Sequence, residues 1–253
     1  VKIVFAIIFL LLSSCLSAQD IKTIEAQLKE SFLKIDFKNE KSLVKSNEDF
    51  EKLLLKFTSS NPETMSYDFK DLTSCGLTIA TSEDSMFRIY SWDTRSGGTM
   101  HFFENVFQFK SGQNIISRKF LQNKDEDHPD PGCFYYQIND IIVGNRKFYI
   151  AQSQSILSTS LFAYRIQFFS VKGSRLFDDN RMIKTRSGFR NDLKYEVDLT
   201  NTLYSEDNEI NSGYSIIYDK QTKTIMLPVV LEGGKINGKK IIYQFNGEYF
   251  NKL

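Results

Sequence analysis

The chain has 253 residues, of which 32 are basic and 31 acidic, for a net charge of +1. A phosphate-binding surface normally needs a basic excess, so this balance argues against a nucleic-acid partner and leaves room only for a local basic patch. A hydrophobic fraction of 41% with 25% charged residues excludes a disordered tail or a collagen-like rod, and 22 Phe and 12 Tyr against 4 Pro favour sheet.

Residues 1–18 read as an export signal. Lys2 precedes an apolar run from Ile3 to Leu12, and the small or polar Ser13, Ser14, Cys15, Ser17 and Ala18 follow. A basic start, a short apolar core and a small-residue exit are the parts of a secretory signal. The run is shorter than the roughly 20 residues of a membrane span. Two exits compete. Cleavage after Ala18 frees the chain, with Leu16 departing from the small-x-small preference. Alternatively, Leu12-Ser13-Ser14-Cys15 resembles a bacterial lipobox, with Cys15 carrying the lipid that ties the chain to a membrane. The expected location is the periplasm, the outer-membrane surface or the medium. Cys75 and Cys133 then remain. In an exported chain such a pair invites a disulfide, worth about 2–4 kcal/mol, with two free thiols as the alternative. Three Cys and two His are too few for a Cys/His zinc site.

Residues 19–72 are expected to be helical. Ile21, Ile24, Leu28, Phe32 and Ile35 recur at spacings of three and four, with Asp20 as cap. A second helix is predicted to open at Ser46, with Asp49 completing a variant capping box. Its apolar face is Phe50, Leu53, Leu54 and Phe57, and Asn61-Pro62 ends it. These stretches do not sustain heptads, so they read as a cap on the following sheet rather than a coiled-coil stalk.

Residues 73–253 are predicted to be all-β. Strand-like runs cover 87–92, 101–109, 134–143, 148–151, 164–171, 193–199, 214–218, 224–230 and 240–245. Turn signals such as Gly144-Asn145, Asp219-Lys220 and Asn246-Gly247 separate them. The expected fold is an antiparallel meander, either propeller-like blades or a β-sandwich. A repeat favours blades: Phe87–Tyr90, Phe148–Ile150 and Thr224–Met226 each precede a strand with Gln-Phe (Gln108-Phe109, Gln167-Phe168, Gln244-Phe245). A Gly turn and one more apolar strand then follow.

The most unusual string runs Phe87-Arg88-Ile89-Tyr90-Ser91-Trp92-Asp93-Thr94, then Gly97-Gly98-Thr99-Met100-His101-Phe102-Phe103. It resembles a string of uncharacterised exported bacterial β-rich proteins. The resemblance covers mainly the sheet portion and implies an exported β-rich protein with no named activity. Alternation places Arg88, Tyr90 and Trp92 on one strand face. There they form either a stacking platform for a sugar or peptide or part of the core. Asp93 would orient Arg88 or hold the turn that follows. His101 opens the next strand and reads as a ligand-binding or structural histidine. No Gly-x-Ser-x-Gly elbow or triad signature accompanies it.

The loop from Asn123 to Gly132 offers Asp125, Asp127 and Asp130 as oxygen ligands for calcium, without the EF-hand spacing. Glu206 to Asn211 is a weaker acidic loop. Asp93, Asp127, Asp140 and Asp198 are the carboxylates from which a glycosidase pair would be drawn. Neither Gly-Gly is followed by Gly-Lys-Ser/Thr, so there is no phosphate loop. The leading expectation is a non-catalytic exported protein that binds a glycan, a peptide or an envelope protein. The alternatives are a carbohydrate-active hydrolase and a structural envelope component whose helices dock on a partner.

Overall fold

The computed structural model describes residues 20–36, 38, 40–119, 130–200 and 213–253. The export signal with Cys15, the loop bearing Asp125 and Asp127, and the Glu206–Asn211 segment lie outside the described residues.

Two main helices come first: α1 (Ile21–Phe32) and α2 (Glu40–Ser60). Asp20 stands at the start of α1 but its side chain makes no capping bond. Helix α2 opens six residues ahead of the predicted Ser46. Leu43 extends its apolar stripe through Phe50, Leu54 and Phe57, all buried. Burying that extra turn outweighs the local capping preference of Ser46. Asn61 ends α2 as expected, its Oδ1 accepting the Glu63 N–H at 2.9 Å as Pro62 starts a 3₁₀ turn. A short helix, α3 (Lys70–Thr73), follows. Its first N–H groups are capped from α1: Glu25, only 6% exposed, accepts from the Asp71 and Leu72 N–H groups and from the Tyr67 hydroxyl.

The rest is mainly β, in three sheets. The first is β1 (Thr78–Thr81), β2 (Phe87–Asp93), β3 (Phe103–Ser111) and β4 (Asn114–Lys119), in that order. The second joins β5 (Phe134–Val143), β6 (Arg146–Ile156), β7 (Leu161–Lys172) and β8 (Arg175–Phe177). Strand β11 (Asp192–Asp198) pairs the part of β7 that β8 leaves open. The third joins β12 (Ile217–Asp219), β13 (Thr224–Val230), β14 (Ile236–Phe245) and β15 (Phe250–Lys252). Strands β9 (Ile183–Thr185) and β10 (Gly188–Arg190) extend it, with β9 parallel to β15.

Each copy of the sequence repeat therefore lies in its own sheet, within a run of four consecutive antiparallel strands. The glycines that follow its Gln-Phe strands, Gly112, Gly173 and Gly247, all have positive φ, as tight hairpins demand. The sheets stack. Helices α1 and α2 cover one face of the first sheet. Its other face packs Phe87, Ile89, Phe107 and Phe109 against Tyr135, Tyr149 and Phe169 of the second. The far face of the second, with Phe148, Ile150, Tyr164, Ile166 and Phe168, packs on the third.

The stack does not close into a propeller. In the first unit the Gln-Phe strand turns Phe107 and Phe109 onward to the second sheet, and in the second unit it sends Phe168 onward to the third and Phe169 back to the first. In the third unit Tyr243 pairs with Ile225, and both face back onto the second sheet together with Phe245.

Candidate functional site

Arg88, Tyr90 and Trp92 do share a face of β2, as alternation requires. That face lies beneath the helices, so the three are not a surface platform. Trp92 is 1% exposed; its Nε1 donates to Asn47 Oδ1 at 3.0 Å and its ring meets Phe50 edge-on at 5.2 Å. The Tyr90 hydroxyl donates to the Thr64 carbonyl at 2.8 Å and lies 2.9 Å from Gln108 Oε1. Burial pushes that phenol up to about 12. Arg88 is 5% exposed and donates to Thr81 Oγ1 and to the carbonyls of Thr64 and Tyr67. Amphipathic helices need an apolar sheet face to cover, and β2 supplies the most aromatic one nearby.

Asp93 and His101 emerge from that layer at the strand ends. Asp93 does not orient Arg88. Its Oδ2 meets His101 Nδ1 at 2.7 Å and its Oδ1 accepts the Arg95 N–H at 2.8 Å. Both side chains are half-buried. The turn closes tightly: a Cβ on Gly97 would stand 1.9 Å from the Met100 carbonyl oxygen. Arg95 reaches over to the Ile35 carbonyl at 2.5 Å, tying the turn to the helical layer. The His101–Asp93 pair holds the turn.

A larger candidate lies close by, between the first and second sheets. It is a cavity of about 270 Å³, near the lower end of small-molecule sites, at about 300–1,000 Å³. Strand β3 supplies Asn105, the segment before β5 supplies Asp130 and Cys133, and β7 supplies Ala163, Arg165 and Gln167. Lys194 on the edge strand β11 completes the rim. The wall is held by its own hydrogen bonds. Asn105 Nδ2 donates to the Cys133 carbonyl at 3.0 Å, and Ser155 Oγ to the Gly132 carbonyl at 2.6 Å. Gln167 Nε2 donates to the Asp178 carbonyl at 3.3 Å. Arg165 Nε pairs with Asp192 Oδ2 at 2.7 Å, which leaves the outer guanidinium nitrogens unassigned by that bond. Sequence reasoning missed this site because its members come from separate strands and share no motif. The signal was polar residues at inward positions of aromatic strands, Asn105 and Gln167 among them.

The cysteines are free thiols, which corrects the expected bridge. The first sheet separates them: Cys75 packs with the helical core and Cys133 with the core between the first and second sheets. Desolvation pushes the Cys133 thiol up, against hydrogen bonds with Ser153 and Tyr135 that lower it. It is thus protonated at neutral pH and a poor nucleophile. Intact masses with and without reductant should therefore agree, and iodoacetamide at pH 8 should label Cys75 ahead of Cys133. The Cys133 rate should stay the lower of the two and climb with alkaline pH. A gain of about two mass units on reduction would overturn this reading.

The candidate carboxylates are dispersed among the described residues. Asp93 and Asp198 lie on different sheets, and Asp127 is outside the described residues. Asp198 holds the Thr200 N–H and hydroxyl. Asp140 does meet a second carboxylate, Asp84, but Lys147 bridges the two at 3.3 and 2.6 Å. Burial and the neighbouring Asp84 charge raise Asp140. For Asp84, burial is outweighed by hydrogen bonds from Lys147, Ser82 and the Met86 N–H, which hold it low. Among the described residues no three His, Cys, Asp or Glu side chains gather as a metal site. Of the calcium candidates only Asp130 is described, and its Oδ1 accepts the Gly132 N–H at 2.9 Å.

These features define a helix-capped stack of three sheets with a polar cavity between the first two. No protein-family model matches the chain, and no curated protein sequence matches it.

Proposed function

We propose that the chain is an exported, non-catalytic binding protein that takes a small polar ligand, such as a sugar or a short peptide, between its first and second sheets. The observation that carries this reading is the charged and amide lining of a cavity in an otherwise aromatic sheet interface. Strands rather than loops place most of those groups, which favours a preformed site. The thiol beside it is held protonated, which suits binding better than nucleophilic catalysis. The signal-like start and the resemblance of the Trp92 string support export.

Thermal unfolding against a panel of neutral monosaccharides, sugar acids and dipeptides tests the proposal. A binder present at 100 times its Kd stabilises by about 2.7 kcal/mol and raises Tm visibly. Ala163 is 2% exposed and lines the cavity, so Ala163→Leu should fill it and remove the response. Lys194→Glu at the rim should weaken the response without altering the unliganded Tm. A panel with no effect, or variants that respond like the parent, would overturn the proposal.

A further inference from the structure

The cavity between the first and second sheets is lined by two cations, Arg165 and Lys194, and two carboxylates, Asp130 and Asp178. Arg165 on β7 and Lys194 on β11 stand directly opposite each other in the strand register. Like charges so placed are destabilising unless something lies between them. Asp192 meets Arg165 through Nε alone, at 2.7 Å, and the Nη atoms make no hydrogen bond among the described residues. Those atoms are not shut away from solvent. Lys194 reaches the half-exposed Glu196 at 3.4 Å. An anion beside the two cations would relieve their repulsion. The free edge of a guanidinium matches a carboxylate, which it can hold with two parallel hydrogen bonds.

The carboxylates are set apart from these cations. Neither Asp130 nor Asp178 lies within ion-pairing distance of Arg165 or Lys194, although all four line one cavity of about 270 Å³. Asp130 uses Oδ1 for the Gly132 N–H. Asp178 uses its backbone carbonyl, which accepts from Gln167 and Asn191, and its carboxylate makes no hydrogen bond among the described residues. Positive and negative groups separated within so small a space match a ligand that carries both charges close together. An α-amino acid carries them on one carbon. Ala163, Phe107 and Phe169 add an apolar wall, against which a third charge would be costly to desolvate.

We propose that this cavity binds a free α-amino acid with an uncharged side chain, its carboxylate on the Arg165 fork beside Lys194 and its ammonium toward Asp130 and Asp178. The proposal rests on the reading of this cavity as the binding site and names the ligand class. Titration calorimetry of the full chain tests it with L-alanine, L-serine, L-valine and L-glutamine. Each is compared with its amide, which lacks the carboxylate, and with its des-amino acid, which lacks the ammonium. At least one amino acid should bind, and both of its analogues should bind at least tenfold more weakly. Arg165→Lys keeps a cation near Asp192 but loses the fork, and should weaken amino-acid binding at least tenfold. The double variant Asp130→Asn/Asp178→Asn keeps an Oδ1 acceptor for the Gly132 N–H and the Asp178 backbone carbonyl. It should keep the parent Tm, weaken the amino acid at least tenfold and leave the des-amino acid unaffected. An amide or des-amino acid that binds as tightly as its parent, or undiminished binding by both variants, would overturn the assignment. A response to sugars or dipeptides alone, lost in Ala163→Leu, would overturn it and leave the binding reading standing. Silence with every probe would overturn both.

Discussion

Trp92→Ala should cost about 3–5 kcal/mol in equilibrium urea unfolding, the range for deleting a large buried aromatic ring. The cavity it leaves would open between the first sheet and α2, where Phe50 and Asn47 now meet the indole. Neither side can collapse freely. Asn47 is also bonded to the carbonyls of Leu43 and Thr94, and so ties the helix to the end of β2. Trp92→Phe should recover most of the loss, since it restores ring volume and forfeits only the indole N–H bond. Circular dichroism is the readout, because the chain has no other Trp to report by fluorescence. A stability loss below 1 kcal/mol from the alanine variant would mean that this residue is not core.

Arg88→Ala should cost about 3 kcal/mol or more by the same assay. The guanidinium serves two carbonyls and a hydroxyl in the layer between sheet and helices. Removing it strands buried acceptors, at about 1–3 kcal/mol for each one left unsatisfied. The Tyr90 hydroxyl still reaches the Thr64 carbonyl, which moderates one of these losses. The Arg88 guanidinium also serves the Tyr67 carbonyl, and the Tyr67 hydroxyl in turn holds Glu25, the cap of α3. Arg88→Lys should restore the charge but less than half of the stability, because a single ammonium cannot span the three acceptors as a planar fork does. Full rescue by lysine would show that charge, not geometry, is what the site requires.

Much of the architecture was legible because it rests on period and punctuation. The strands over 134–143 and 224–230 begin and end where alternation and turn residues place them. The three-unit repeat was visible as well, and it marks out the three sheets. Local rules failed where distant segments decided the outcome. Ser46 looked like a helix start, yet α2 begins at Glu40 because Leu43 finds a buried place in the core. Ile183–Thr185 was not read as a strand at all. It is three residues long and is held in the third sheet by its parallel pairing with β15.

The site residues divide along the same line. That Arg88, Tyr90 and Trp92 share a face follows from the two-residue period of a strand, which is a local property. Whether the face meets solvent or helices depends on packing between segments 45 residues apart, as the Asn47–Trp92 bond illustrates. The polar cavity is assembled from several strands whose side chains approach only after the sheets stack. The sequence by itself determined the helical start, the mainly β remainder, its repeat and the pairing of residues on a strand face. Tertiary structure alone decided which faces are covered, where the thiols lie, and which layer each aromatic residue meets. The reason is physical: periodicity is written in neighbouring residues, whereas burial is a property of surfaces that meet through space.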